Sequence, residues 1–168
     1  MDYALSDKDI RNVFHGEVNV YTYDELEQFD TIDDMLYPYN RAVILYFWQS
    51  KPKYGHWCCV SKNKNIITFV DSFGSVPDNV LDEIPRSFKR ANGEDYKYLS
   101  SLLYNCPYEI HYNNKKWQND SSCMCGRYAI LWLICSDMMP IEKFQKLFTK
   151  NTTKNDRLVY DLTKCFPQ

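Results

Sequence analysis

Residues 42–48 read Ala-Val-Ile-Leu-Tyr-Phe-Trp, an unbroken apolar run. A β-branched and aromatic run of this length predicts a central strand covered on both faces. The polar stretch 49–54 then turns the chain. A second strand is predicted at 56–60, a turn at 61–65 and a third strand at 66–70. Three strands joined by short polar turns predict an antiparallel meander. Upstream, Ser6 with Asp9 three residues on has the form of a capping box and predicts a short helix over 6–14. Val18 and Val20 alternate with polar neighbours and predict a short strand. Segments 23–29 and 31–36 predict helical turns, each opened by a capping Thr or Asp. Downstream, helices are predicted at 78–90 and 95–104, a short strand at 109–112 and a polar loop at 113–122. Residues 124–138 are apolar nearly all round, which predicts a helix buried in the middle of the domain. Amphipathic helices at 140–150 and 155–164 close the chain. The fold class that follows is α+β: a small, mainly antiparallel sheet packed on a central buried helix, with outer helices.

Length changes this picture little. The 168 residues fit one domain, 1–168, large enough to fold without a disulfide or a metal. Hydrophobic residues at 45% and charged residues at 25% exclude disorder and fibrous repeats. The 20 Lys+Arg against 22 Asp+Glu give a net charge of -2, which argues against strong nucleic-acid binding. The charged opening MDYALSDKDI does not read as a signal peptide. The longest apolar stretch in the second half, 129–135, falls far short of the roughly 20 residues of a membrane span. Seven cysteines without framework spacing predict free thiols in a reducing compartment. Glycine is scarce, so Gly55, Gly74 and Gly126, each beside a candidate functional residue, stand out.

The candidate chemistry lies in three segments. His56 sits in Tyr54-Gly55-His56-Trp57, at the start of a predicted strand. Asp71 follows in Val70-Asp71-Ser72-Phe73-Gly74, at the end of the next one. If the two strands pair through their shared turn, imidazole and carboxylate become neighbours, and the carboxylate fixes the ring tautomer. Cys125 opens the buried helix, where the helix dipole and unsatisfied N–H groups favour a thiolate and an oxyanion. Gln118, on the preceding loop, offers a side-chain donor. Gly126 leaves room for a substrate to approach the sulfur. The result is a Cys–His–Asp acyl-transfer arrangement. Cys123 competes with Cys125 but lacks the following glycine. Cys58 and Cys59 read as sheet residues. The spacing of His56, Cys58, Cys123 and Cys125 does not match the paired form of zinc sites, so no metal is expected.

Gly-His-Trp, then Asp-Ser-Phe-Gly, then Gln-x₆-Cys-Gly opening a hydrophobic helix resembles the cysteine proteases that include the adenovirus maturation protease and the SUMO-specific proteases. The gap from Gln118 to Cys125 and the Phe-Gly after Asp71 resemble the adenovirus branch more closely. The segments Leu5-Ser6-Asp7-Lys8-Asp9-Ile10 and Tyr23-Asp24-Glu25-Leu26 resemble the maturation proteases of virophages, polinton-like elements and large DNA viruses. The resemblance implies Cys125 as nucleophile, His56 as general base and later acid, and Asp71 as the residue that orients His56. It implies an oxyanion hole of Gln118 and the Cys125 backbone N–H, with Trp57 packed beside the site and narrowing the groove. It also implies an endopeptidase that cuts viral capsid or other structural precursors at Gly-containing sites; the adenovirus enzyme is basic and uses DNA as a cofactor, the near-balanced charge here departs from that, and a monomer without a cofactor is expected. Such an enzyme works in the host cytoplasm or virus factory and is packaged in the virion. Cys106 lies at about the distance at which the adenovirus enzyme carries a cysteine for an activating peptide. Removal of ubiquitin or a ubiquitin-like tag, acetyl transfer through the cysteine, and an inactive capsid-binding module are the other readings the sequence leaves open.

Overall fold

The structure, a computed structural model, describes residues 3–47 and 55–166. Trp48 of the predicted strand, the predicted turn at 49–54 and Tyr54 of the His56 motif lie outside the described residues.

Five strands form one sheet in chain order: β1 (Asn19–Thr22), β2 (Arg41–Phe47), β3 (Gly55–Asn63), β4 (Ile66–Val70) and β5 (Glu109–Tyr112). The central three make the predicted antiparallel meander. The edge strands pair in parallel, β1 with β2 and β5 with β4. β3 runs past its predicted end to Asn63, and Lys64, at φ +53°, starts a tighter turn than expected.

Alternation along β2 to β4 divides the core in two. Val43, Leu45, Trp57, Cys59 and Val70 face one layer. Ala42, Ile44, Tyr46, Cys58, Val60, Ile67 and Phe69 face the other. Both faces are covered, so the 42–47 run needs no polar alternation. Each buried aliphatic side chain contributes about 1.5–3 kcal/mol of transfer free energy.

The first layer is built on α5 (Cys125–Cys135), buried continuously from Gly126 to Leu133 and packed on β3. Outside it lie α1 (Asp7–Val13) and α7 (Thr152–Thr163). α1 carries the predicted capping box: Ser6 Oγ accepts the Asp9 N–H, and Asp9 accepts the Ser6 N–H. The second layer holds the 3₁₀ turn Tyr23–Gln28, α2 (Ile32–Leu36) and α4 (Tyr98–Tyr104).

Four of the predicted helices differ from what forms. The 78–90 segment breaks into a 3₁₀ turn, Asn79–Glu83, and α3 (Arg86–Ala91). Pro85 lies between them; it has no N–H and disfavours helix in the residue before it. The 95–104 helix shortens to α4, and 140–150 yields α6 (Ile141–Phe144) and a 3₁₀ turn, Gln145–Leu147. α7 begins at Thr152, ahead of the predicted 155, because the Asn151 side chain accepts the Lys154 N–H at 3.1 Å.

Glu94 is fully buried and accepts the Phe47 N–H at 3.0 Å, where β2 ends. Burial pushes its pKa up to about 7 from an ordinary 4.5, against the opposing pull of the Phe47 hydrogen bond. Between those values the folded chain holds a proton that the unfolded chain has lost. Stability from this group is therefore full below about pH 4.5 and is lost as pH rises through about 7. Thermal melts across that window should show Tm falling with pH in the parent more steeply than in Glu94→Gln. Parallel curves would remove Glu94 as the source.

Candidate active site

The sheet register brings the predicted pair together. His56 is the second residue of β3, opposite Tyr46, and Val70, the last residue of β4, lies opposite Cys59. Asp71 therefore leaves the sheet beside the start of β3. His56 Nε2 and Asp71 Oδ1 are 2.8 Å apart, and both side chains are buried. Asp71 Oδ1 also accepts the Phe73 N–H at 2.8 Å, and its carbonyl accepts the Gly74 N–H at 2.8 Å. This turn lays the Phe73 ring on the imidazole, with centroids 5.0 Å apart and planes 29° apart.

Gly74 has a backbone reason. Its φ is +78°, and a Cβ there would lie 2.7 Å from the Lys115 carbonyl carbon. No side chain fits between this turn and the 113–118 segment.

Cys125 is the first residue of α5, as predicted, and is half-buried. Its thiol is one of the side chains that act on the His56 imidazole. Burial works against the imidazolium. The neighbouring Cys58 sulfur, the Asp71 carboxylate and the Cys125 thiol outweigh it and hold the His56 pKa well above the ordinary histidine range. His56 is thus a strong base placed at a thiol. With Nε2 committed to Asp71, Nδ1 is the ring nitrogen for the sulfur. The first N–H groups of α5 have no acceptor within the helix, which suits an oxyanion.

Gln118 reaches the same end of the molecule along a loop pinned on both sides. Trp117 is buried among Tyr128, Phe144 and Phe148. Its carbonyl accepts from Asn155 Nδ2 at 3.1 Å and from the Tyr128 hydroxyl at 3.3 Å. The Gln118 side chain is buried, and its Nε2 donates to the Ser122 carbonyl at 2.8 Å. A second hydrogen remains on that nitrogen.

Trp57 and Gly126, expected to line a substrate groove, are both buried against Leu5. Trp57 follows His56 in the strand and so faces the opposite layer, under α5. Its Nε1 donates to the Leu5 carbonyl at 2.9 Å. A Cβ on Gly126 would stand 3.2 Å from both Leu5 Cβ and Trp57 Cδ1. The missing side chain makes room for the protein's own core.

The cysteines separate cleanly. All seven are free; Cys123 is exposed, while Cys58 and Cys59 are buried. Burial pushes the Cys58 thiol up to about 12 and the Cys59 thiol well above its ordinary range. Cys106 sits at the end of α4, its thiol donating to the Leu103 carbonyl at 3.1 Å. His56, Cys58 and Asp71 place one ligand atom each within 4.8 Å of one another. Cys58 joins the pair because residue i+2 on a strand shares a face with residue i.

Sequence reasoning missed Asn113. It is fully buried; its Oδ1 accepts the Asp71 N–H at 3.0 Å and its Nδ2 donates to the Asp71 carbonyl at 2.6 Å. The side chain thus continues the β4–β5 ladder beyond Tyr112 and fixes the backbone of Asp71.

No family model matches the sequence. Uncharacterized protein V9 of Sputnik virophage is 37% identical over 146 residues, covering 85% of this chain and 82% of V9. The chain belongs to the V9 family. Among solved structures, the ASFV pS273R protease aligns with this V9-family chain at a TM-score of 0.50 and 14% identity, over 91% of the chain. The match spans 65% of that protease's length. The SUMO protease Ulp1 aligns at a TM-score of 0.41 and 14% identity, over 98% of the chain and 80% of its own length. The V9-family chain thus shares the fold of the ASFV pS273R protease. Among the described residues no helix is long and apolar enough to cross a membrane.

Proposed function

We propose that this V9-family chain is a cysteine endopeptidase. The observation that carries the reading is the buried His56–Asp71 pair at 2.8 Å, with Cys125, the first residue of α5, among the groups that act on the imidazole. Cys125 attacks the scissile carbonyl as His56 takes its proton. The tetrahedral oxyanion accepts from the Cys125 N–H and from Gln118 Nε2. His56 then returns the proton to the leaving amine, and water releases the acyl-enzyme by the same route. Asp71 holds the ring and stabilises its charged form.

The substrates proposed are viral capsid or other structural precursors, cut at Gly-containing sites. Kinship with a virophage protein supports a viral setting, in the host cytoplasm or virus factory and in the virion. The test is cleavage of Gly-containing segments of the structural proteins of the virus that encodes the chain, beside SUMO and ubiquitin conjugates. The expected result is cutting of the structural segments at one defined Gly junction. Release of SUMO or ubiquitin with the precursors untouched assigns the chain to isopeptidases instead. Acetyl transfer with no proteolysis overturns both.

A further inference from the structure

Ser72 stands between Asp71 and Phe73, and none of the roles above uses its side chain. It is buried, and it reaches Gln118 twice and the neighbouring Trp117 once. Its carbonyl accepts the Trp117 N–H at 2.8 Å and the Gln118 N–H at 3.1 Å. Its hydroxyl lies 2.5 Å from Gln118 Oε1. The turn that aims the imidazole is therefore also the turn that grips the oxyanion donor.

The direction of that last bond follows from its neighbours. The Ser122 carbonyl only accepts, so the end of Gln118 facing it is the NH₂ group. The end facing Ser72 is then the carbonyl oxygen, and the Ser72 hydroxyl donates to it. A primary amide has two ends of nearly equal shape and opposite charge. With Nε2 forward it stabilises an oxyanion; with Oε1 forward it repels one.

We propose that Ser72 is a positioning residue that locks the Gln118 amide with its donor end toward the oxyanion. The proposal rests on the peptidase reading above. Removing the hydroxyl leaves Oε1 buried without its donor, and only the Ser122 carbonyl then holds the amide in its orientation. The two backbone bonds to the Ser72 carbonyl do not involve the side chain, so Ser72→Ala keeps the loop attached.

The test is a double-mutant cycle on a Gly-containing peptide substrate, with Ser72→Ala, Gln118→Ala and both together. Gln118→Ala should lower kcat about 10²-fold, the scale for one oxyanion donor. Ser72→Ala should lower kcat about tenfold at unchanged KM, the scale of one hydrogen bond. On the Gln118→Ala background the same change should cost less than about twofold, because the group it positions is gone. Ser72→Cys fills the same space with a weak donor and should track Ser72→Ala. Affinity for a peptide aldehyde, whose thiol adduct carries the oxyanion, should fall with kcat. Affinity for the matching peptide alcohol should not move.

An unchanged kcat in Ser72→Ala and Ser72→Cys, with the 10²-fold loss kept in Gln118→Ala, overturns the positioning role and leaves the peptidase reading standing. Full additivity in the cycle also overturns it, since it marks a general structural effect. An unchanged kcat in Gln118→Ala overturns the oxyanion assignment and the Ser72 proposal with it.

Discussion

Cys125→Ala should abolish peptide cleavage, a loss on the order of 10⁶ in kcat where a nucleophile's side chain is removed. Cys123→Ala should leave cleavage intact. The two cysteines lie two residues apart, and only position separates them. Cys125 is the first residue of an eleven-residue buried helix and is one of the groups that raise the pKa of the buried base. Cys123 is exposed on the preceding loop. Steady-state rates on one Gly-containing peptide check both variants, with thermal melts to show that each is folded. Equal rates for the parent and Cys125→Ala would end the nucleophile assignment.

The second large effect separates the base from its orienting acid. His56→Ala should cost about as much as loss of the nucleophile, since the imidazole carries the proton in both halves of the reaction. Asp71→Asn should cost less, on the order of 10⁴. Its oxygen can still accept the Phe73 N–H, and the Phe73 ring and the Asn113 clamp on the backbone stay in place. What is lost is the charge that stabilises the imidazolium. The kcat–pH profile should therefore shift in Asp71→Asn, because the His56 pKa falls when the carboxylate beside it is neutralised. A larger loss in Asp71→Asn than in His56→Ala would contradict the division of roles.

The parts of this site that sequence revealed are those with local signals. The capping box of Ser6 and Asp9 lies within three residues. The 42–47 run needs only its own residues to be read as a two-faced strand. Asp71 meets His56 because one tight turn fixes the register of β3 and β4. The apolar stretch after Cys125 marks a buried helix and so places the cysteine at its mouth. What sequence could not give depends on residues far apart. The parallel edges β1 and β5 pair across crossovers with no short-range signature. Asn113 and Ser72 are ordinary loop polars until the fold buries them, and they meet partners 42 and 46 residues away. The family resemblance implied Trp57 packed beside the site and narrowing a groove. Strand alternation sends it to the opposite layer, where Leu5, 52 residues earlier, accepts its indole N–H. Cys58 was within reach of sequence reasoning, since strand alternation alone puts it on the face of His56.

The most direct measurement is to treat the protein with a thiol-reactive peptide probe ending in Gly and to map the adduct by mass spectrometry. Labelling should fall on Cys125 alone among the seven cysteines. It should slow sharply in His56→Ala, while a small unspecific alkylating agent continues to label exposed Cys123 in both proteins. A probe adduct on Cys123, or labelling of Cys125 at the same rate without His56, would contradict the account.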